Sequence, residues 1–465
     1  VSVNYLIEDR RQPIQTFVPD FDENSALPAR DGDPTDPDNP SYWLRLSTAM
    51  IDNAGFRRLK LSTPGAVLLK EGSTLHLADG GEVDIAGTSV DIQGAIVTHG
   101  GSITLGSRGQ AGIKADNLPT FIAVGSSGRL DTSGLWVNDT GRPADGIEGR
   151  AFIDGGSVTL SGWKGGEPST DVTPDITMER GSVIDVSGGG YVGVDGRLAM
   201  DGDLPAGRGG DVTVATHTDD GMNKYGITGA PADLLGGTIS LDGTLVGGGF
   251  SGGGTLTLHA PRIQVGGAPQ DDDGAWTLYL DPAFFRGQGF SGYNLVADTD
   301  VVVAPGTSLD VRPAFMVADR SALLALGSRT SLLRSGGDGA VGIGDVGAYD
   351  NYLHRQDGDG ISLQAGLYQL WQAPAAGSDR KYAAYTGSVI IGEGARVDVG
   401  AGDTIALSGV GKVVVDGTLA ARGGDILLHN LGNGAHVLSE GRGVWLGADS
   451  VIDASGISLL DPAAP

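Results

Sequence analysis

Three consecutive aspartates at positions 271–273, between Gln270 and Gly274, are the residues in this sequence best suited to catalysis. Paired carboxylates can act as general acid and general base when their surroundings separate their pKa values, as in enzymes that cleave polysaccharides. His99 and Arg262 are candidate companions. Glycine and proline bound the aspartates, however, and such a stretch is also typical of a solvated loop. We favour the loop and predict no catalytic residues.

Two further acidic stretches offer oxygen ligands for calcium. Hard cations bind six to eight oxygens, and carboxylates on turn-rich segments can supply them. Neither stretch completes an EF-hand loop, because no glutamate stands at the required distance. Acidic turns without a bound ion remain the alternative interpretation. The candidate calcium ligands are Asp31, Asp33, Asp36 and Asp38 in the first stretch, and Asp357 and Asp359 in the second.

Other site types have little support in the sequence. The seven histidines are dispersed, and no pair of them has the spacing of a zinc site. The chain has no cysteine, which excludes disulfides, thiolate metal ligands and cysteine nucleophiles. No Gly-Lys-Ser or Gly-Lys-Thr phosphate loop is present, so we expect no cofactor other than the calcium considered above. The histidines are His76, His99, His217, His259, His354, His429 and His436.

Composition narrows the class of protein further. The chain has 465 residues, of which 80 are glycine, and a net charge of −26. Glycine is not placed at every third position, which excludes collagen. The acidic balance argues against nucleic acid and anionic membranes as main partners, since both select basic surfaces. With 40% hydrophobic and 19% charged residues, the chain is expected to fold.

Internal repeats account for much of the glycine. Two glycines followed by an alternating apolar segment occur six times, and a motif Asp-x-Ser-Gly occurs three times. The spacings of 25 and 27 residues between these motifs indicate a solenoid, in which each coil stacks on the previous one. The glycine pairs begin at Gly100, Gly155, Gly209, Gly236, Gly253 and Gly423, and the Asp-x-Ser-Gly motifs begin at Asp131, Asp185 and Asp453.

Apolar residues also alternate with polar ones in short consecutive runs, as in Thr74–Leu77, Glu82–Ile85 and Ser102–Leu105. This period of two is typical of half-buried strands. The sequence therefore predicts an all-β fold, a right-handed parallel β-helix of about 13 coils, with a short N-terminal helix and an irregular or helical insertion.

The predicted helix is capped by Ser41 and ends at Gly55. The predicted boundaries are an irregular N-terminal segment with this helix, a candidate cap, at 1–60, β-helix at 61–310, an aromatic-rich insertion with a helical part at 311–386, β-helix again at 387–456 and a tail at 457–465.

Several segments resemble filamentous haemagglutinin-like exoproteins. They include Ile51–Phe56, the repeat beginning at Gly100, and Leu280–Phe285. The resemblance covers Trp43 to Leu309 and resumes at Gly387. It implies a very large, secreted, β-helical protein of Gram-negative bacteria that is exported by two-partner secretion and serves in adhesion or biofilm formation. The secretion domain of that family is not recognisable here, so we expect an internal segment of the shaft.

The expected function is therefore a non-enzymatic, rigid rod in an extracellular or cell-surface adhesin. The resemblance implies a glycan or protein receptor on a host or bacterial surface, and an outer-membrane secretion partner for the full-length protein. Two alternatives remain open: a self-associating subunit of an extracellular filament or sheath, and a β-helical polysaccharide lyase or hydrolase.

Overall fold

The computed structural model describes residues 4–8, 43–108, 120–163, 174–202, 204–216, 237–269, 277–312, 314–318, 323–324, 341–345, 359–366, 387–431 and 442–457. Within these residues the chain folds into 38 strands, one α-helix and two short 3-10 helices. Long parallel sheets run along the molecule, as predicted for a parallel β-helix.

One sheet, which we call sheet 1, contributes a strand to every full coil among the described residues. Its ten strands pair in parallel, and nine spacings of about 4.8 Å make this sheet about 43 Å long. The strands are β3 (Arg58–Ser62), β6 (Glu82–Gly87), β9 (Ser102–Arg108), β13 (Ser157–Trp163), β19 (Asp211–Ala215), β22 (Thr255–Ala260), β25 (Gly292–Ala297), β30 (Gly360–Ala365), β33 (Thr404–Gly409) and β36 (Asp425–Asn430).

Two sheets complete the coils of the amino-terminal half. Sheet 2 contains, in spatial order, β2 (Trp43–Ser47), β1 (Asn4–Glu8), β4 (Ala66–Leu69), β7 (Ser89–Ile92), β10 (Phe121–Val124), β14 (Asp175–Met178) and β20 (Ile239–Leu241). Sheet 3 contains β5 (Thr74–His76), β8 (Ala95–Val97), β11 (Arg129–Asp131), β15 (Val183–Asp185) and β21 (Thr244–Val246).

Two other sheets complete the coils of the carboxyl-terminal half. Sheet 4 contains β24 (Thr277–Leu280), β23 (Arg262–Val265), β26 (Val301–Val303), β31 (Val389–Ile391), β34 (Lys412–Val415) and β37 (Gly443–Leu446). Sheet 5 contains β27 (Ser308–Val311), β32 (Arg396–Val399), β35 (Thr418–Ala420) and β38 (Val451–Asp453).

The core follows from the alternation in the sequence. Inward residues stack in rows, for example Ile103 on Val158 and Leu105 on Leu160, and these four side chains are fully buried. A single hydrophobic cluster of this kind runs from Ile7 to Ala421.

The repeated glycine pairs are explained by close stacking of the backbone. A Cβ on Gly156 would lie 1.8 Å from the carbonyl oxygen of Gly101, and one on Gly210 would lie 1.7 Å from that of Gly156. Only glycine permits this approach between coils. Five of the six copies occupy sheet 1, but the copy beginning at Gly236 leads into β20 of sheet 2.

The predicted repeat length, about 20 to 30 residues per coil, holds only in the first and last described coils of the rod. Along one row of sheet 1, Leu59, Val83 and Ile103 are 24 and 20 residues apart, whereas Ile103 and its partner Val158 are 55 apart. Longer connections leave the middle coils, so the prediction of about 13 coils was too high for a sheet of ten strands.

The amino-terminal segment differs from its prediction as an irregular region. Its described residues include the strands β1 and β2, and Trp43–Ser47 is a strand rather than part of a helix. The helix α1 (Thr48–Ala54) begins after Ser47, not Ser41. Its predicted end is confirmed, because Gly55 adopts the left-handed conformation with φ of 64°.

The region predicted as one insertion, 311–386, contains a strand of the main coil. β30 pairs with β25 and β33 in sheet 1, so a strand of the β-helix divides the predicted insertion into two parts. The first part includes an antiparallel pair, β28 (Ala314–Ala318) and β29 (Val341–Asp345). Met316 and Leu323 pack with Trp136, Val192 and Phe250 in a second hydrophobic cluster.

Shorter elements branch from the coils. They are the parallel pair β12 (Trp136–Asn138) and β16 (Gly190–Val192), the antiparallel pair β17 (Met200–Asp201) and β18 (Leu204–Pro205), and 3-10 helices at Ala144–Gly146 and Pro282–Phe285. Near the start of sheet 4, three buried aromatic residues, Phe285, Phe290 and Tyr293, replace aliphatic residues in the core. The ring centroid of Tyr293 lies 5.1 Å from that of Phe285 and 6.2 Å from that of Phe290.

Candidate functional site

Two buried aspartates in sheet 3 form the centre of a polar cluster. Asp131 of β11 and Asp185 of β15 are register partners in adjacent coils, and they are 0% and 3% exposed. Each begins an Asp-x-Ser turn. The Oδ1 atom of Asp131 accepts hydrogen bonds from the backbone N–H of Ser133 at 3.0 Å and from its hydroxyl at 2.6 Å. Ser187 donates to Asp185 in the same way, at 3.1 and 2.6 Å.

Arg129 joins the two carboxylates. Its Nη2 atom lies 3.0 Å from Oδ2 of Asp131 and 2.9 Å from Oδ2 of Asp185. Stacked like charges would repel one another across adjacent strands, and the guanidinium offsets that repulsion. The cluster therefore places two carboxylates around one cation.

The two carboxyl groups respond differently to this environment. Burial acts to raise the pKa of Asp131, but Arg129 and the donors of Ser133 outweigh it and hold that pKa below the usual value of 3.8. Burial raises the pKa of Asp185 above 3.8, and the negative charge of Asp131 raises it further. As the pH rises, Asp131 is therefore the first of the two carboxyl groups to lose its proton, and its negative charge pairs with Arg129.

His99 lies beside this pair. Its Nδ1 atom is 3.0 Å from the carbonyl oxygen of Ser133, 3.4 Å from the Ser133 hydroxyl and 4.0 Å from Oδ1 of Asp131. The arrangement contains the residue types of a catalytic triad, but Ser133 is 0% exposed and its hydroxyl donates a hydrogen bond to Asp131. A buried serine whose hydroxyl bonds the carboxylate is not poised to attack a substrate, so we interpret the cluster as structural.

The predicted calcium ligands fall mostly outside the described residues, which include neither Asp31, Asp33, Asp36 and Asp38 nor Asp357. Asp359 is exposed, and its Oδ2 atom lies 3.8 Å from Nη2 of Arg208. In the part of the chain that the structure describes, no three His, Asp or Glu side chains come close enough together to hold a metal ion.

The aspartates at 271–273 also lie outside the described residues. Their proposed companions are far apart along the rod, since His99 precedes β9 whereas Arg262 begins β23, directly after β22. Three coil spacings separate β9 from β22 in sheet 1, which is about 14 Å along the axis. The fold thus does not bring these two residues together.

The other described histidines have separate surroundings. His259 is buried, and its Nε2 atom lies 2.9 Å from Oδ1 of Asp298. His76 and His429 are exposed on different coils. The remaining three, His217, His354 and His436, lie outside the described residues.

An open groove of about 440 Å³ lies beside the first strand of sheet 4, lined by residues that include Tyr279, Asp281, Pro305 and Thr307. The Oδ1 atom of Asp281 accepts a hydrogen bond of 2.7 Å from the backbone N–H of Ala283, and so caps the short helix that follows. This carboxylate therefore has a structural role as a helix cap. The groove is better suited to bind a ligand through its shape and the ring of Tyr279 than to catalyse acid–base chemistry.

Sequence reasoning missed the cluster around Asp131 and Asp185. The Asp-x-Ser-Gly motif was visible, and the first two of its three copies are 54 residues apart, which is the separation of register partners in β11 and β15. The missing information was that both motifs lie on the same sheet in adjacent coils.

Comparisons with known proteins give no assignment: no family model, no curated protein and no solved structure matches this chain. Among the described residues no helix is long and apolar enough to cross a membrane.

Proposed function

We propose that this chain is a structural shaft segment of a large secreted bacterial surface protein of the filamentous haemagglutinin-like kind. The observation that carries the proposal is the single hydrophobic core from Ile7 to Ala421, built from rows of aliphatic side chains in consecutive coils. In such a solenoid each coil contacts only its neighbours, and length is gained by adding coils.

The proposed role is mechanical. Each inner strand of sheet 1 hydrogen-bonds to a strand on both sides, so that a coil cannot separate without losing two rows of backbone hydrogen bonds. A rod of this kind would hold adhesive surfaces away from a cell, in contact with a glycan or protein receptor on a host or bacterial surface. It would reach the exterior through an outer-membrane secretion partner.

Deletion of one whole coil tests this proposal. Thr404 pairs with Asp425, so removal of residues 404–424 joins the preceding segment to an equivalent strand. We expect the protein with this deletion to fold and to be shorter by about 4.8 Å in small-angle X-ray scattering. Bacteria that display the full-length protein with the same deletion should adhere as well as bacteria that display the wild type. The control deletion, 404–413, removes half a coil and should unfold the carboxyl-terminal part. Loss of adhesion in the folded whole-coil deletion would contradict a purely mechanical role.

A filament or sheath subunit is the second candidate, and exposed apolar residues in the last described coil favour it. Val444, Leu446 and Ile452 are at the inward positions of the last described coil and are 41%, 55% and 41% exposed. Open strand edges are sites of assembly. Regular polymers of the isolated chain in electron micrographs would support this candidate.

The third candidate is a polysaccharide lyase or hydrolase. It predicts that the protein releases unsaturated or reducing sugars from uronate polymers.

A further inference from the structure

The outer face of sheet 4 differs from the outer faces of sheets 1 and 5. Register pairing aligns four apolar outward residues in consecutive strands: Val302, Ile390, Val414 and Trp445. We call this row the outer strip. In the same coils, the outward row of sheet 1 is mixed and carries Asn294, Ser362, Ala406 and Leu427, and the row of sheet 5 carries Asp310, Asp398, Ala420 and Asp453.

The outer strip is not part of the core. The inward neighbours Val301, Val389 and Val413 are 0% exposed and fill the interior. Val302, Ile390 and Val414 are half-buried, as are Thr104 and Thr159 at equivalent places on sheet 1, and Trp445 is 52% exposed. Strands that are apolar on both faces are typical of sheets covered on both faces.

We propose that a second copy of this chain packs on the outer strip, face to face, with the two rod axes antiparallel. The proposal does not depend on the proposed function. It rests on a two-fold axis that runs along β31 through Ile390. This axis places the strand after β31 in one copy, β34, opposite the strand before it in the other copy, β26.

The charges beside the strip match under this axis. Lys412, which begins β34, is exposed, and Asp300 occupies the equivalent position just before β26. The symmetry therefore brings Lys412 of each copy opposite Asp300 of the other, while Val414 meets Val302 and Ile390 meets its own counterpart. Two-fold contacts repeat every favourable pair, so this match occurs twice.

The size of the face sets the expected strength. Under this axis five strands, β23, β26, β31, β34 and β37, lie opposite one another, and at about 4.8 Å apart and about 13 Å long they cover about 310 Å² per copy. The total is below the roughly 1,200 Å² of a stable interface, which predicts a weak, reversible dimer. For rods that lie side by side in large numbers, such weak contacts add up along the shaft.

Analytical ultracentrifugation of the full chain over a wide range of concentration tests the proposal. We expect a reversible monomer–dimer equilibrium. The variant Ile390→Thr keeps a β-branched side chain and should weaken dimerisation at least about tenfold, through the loss of apolar contact on the axis. The matched control is Val296→Thr, a half-buried outward position on sheet 1, which should leave dimerisation unchanged. A wild-type chain that is monomeric at every concentration would overturn the proposal.

A charge exchange separates pairing from damage to the fold. Lys412→Asp and Asp300→Lys should each weaken the dimer at least about tenfold, because like charges then meet twice. The double variant should recover most of the affinity. Asp300 also accepts a hydrogen bond from the backbone N–H of Ser388 at 2.8 Å, but that bond is lost equally in Asp300→Lys and in the double variant, so comparison of these two isolates the pairing. Failure of the double variant to recover, with wild-type melting behaviour, would contradict the antiparallel arrangement.

Cysteine cross-linking gives an independent readout. The chain has no cysteine of its own, so a single introduced thiol reports one position. Ile390→Cys should form covalent dimers with a short bis-maleimide, whereas the control Val296→Cys should not. Equal cross-linking at both positions would indicate random collision and overturn the proposal.

Discussion

The first and the last described coils of the rod are built differently. At the amino end, β1 and β2 extend sheet 2 beyond the first full coil, and α1 packs against β5. The Asp52 side chain of this helix accepts a hydrogen bond of 2.9 Å from the backbone N–H of His76. At the carboxyl end, β36, β37 and β38 are the last described strands of their sheets, and their inward residues are partly exposed.

This contrast shows how the inward side chains of one coil are buried by the next coil. Leu407 and Leu428 are register partners in the same row, one coil apart, yet Leu407 is fully buried and Leu428 only partly. Sequence pattern and strand geometry are the same at both positions. The difference in burial comes from whether another coil, or a helix such as α1, lies on top.

The largest expected effect tests this difference directly. Leu407→Ala should lower the free energy of unfolding by about 3 kcal/mol, through lost burial and the cavity that remains. Leu428→Ala should cost less than half as much, because part of its side chain already contacts water. Denaturant unfolding followed by tryptophan fluorescence compares the two. Equal losses would show that the carboxyl end is covered in solution.

The Asp-x-Ser motif provides the second comparison, since one copy is buried and another lies in the last described coil. Asp131→Asn removes a buried charge from Arg129 and should cost about 2 kcal/mol. In Asp453, hydrogen bonds from Ser455 lower the pKa, but its carboxylate lies at the surface. Asp453→Asn should therefore leave the denaturation midpoint almost unchanged. A large loss at Asp453 would mean that the terminal coil is held as firmly as the inner ones.

The end of α1 gives a smaller effect. Gly55 has φ of 64°, and a Cβ there would meet nothing within 4 Å, so Gly55→Ala carries only the backbone cost of about 1 kcal/mol. The matched control is Gly456→Ala at the carboxyl end, which also has open space and has no positive φ. We expect no change for Gly456→Ala. Thermal melting of both variants measures the difference, and equal shifts would contradict this account of the helix end.

The smallest effect concerns pH. Because the pKa of Asp185 is raised in the folded state, its contribution to stability is present below the usual value of 3.8 and is lost as the pH rises through the folded pKa. The lowered pKa of Asp131 acts in the opposite sense, and its contribution is lost as the pH falls.

The variant Asp185→Asn removes the first of these two contributions. Its stability relative to the wild type should therefore increase as the pH rises above 3.8. Parallel denaturation curves at several pH values check the sign. A constant difference between the two proteins would show that Asp185 does not titrate in this range.

Much of the local structure was predictable from sequence. The alternation in Glu82–Ile85 and Ser102–Leu105 identified β6 and β9, and Gly55 identified the end of α1. These features depend on residues close together in the chain, since side chains alternate every two residues in a strand and positive φ favours glycine.

The lengths of the coils were not predictable in the same way. Register partners in sheet 1 are 20 residues apart at Val83 and Ile103 but 68 apart at Tyr293 and Ile361. The intervening excursions have no fixed length, so sequence spacing alone cannot say which strands become neighbours. This also led to the expectation of one insertion at 311–386, within which β30 returns to sheet 1.

By itself the sequence determined the parallel β-helical class, the strand alternation and the glycines at the tight contacts. The tertiary structure decided which residues meet: Asp131 with Asp185, Ile103 with Val158, and the apolar residues of the outer strip in one row. The physical reason is that alternation is a property of each strand, whereas stacking depends on register between strands that are distant in the chain.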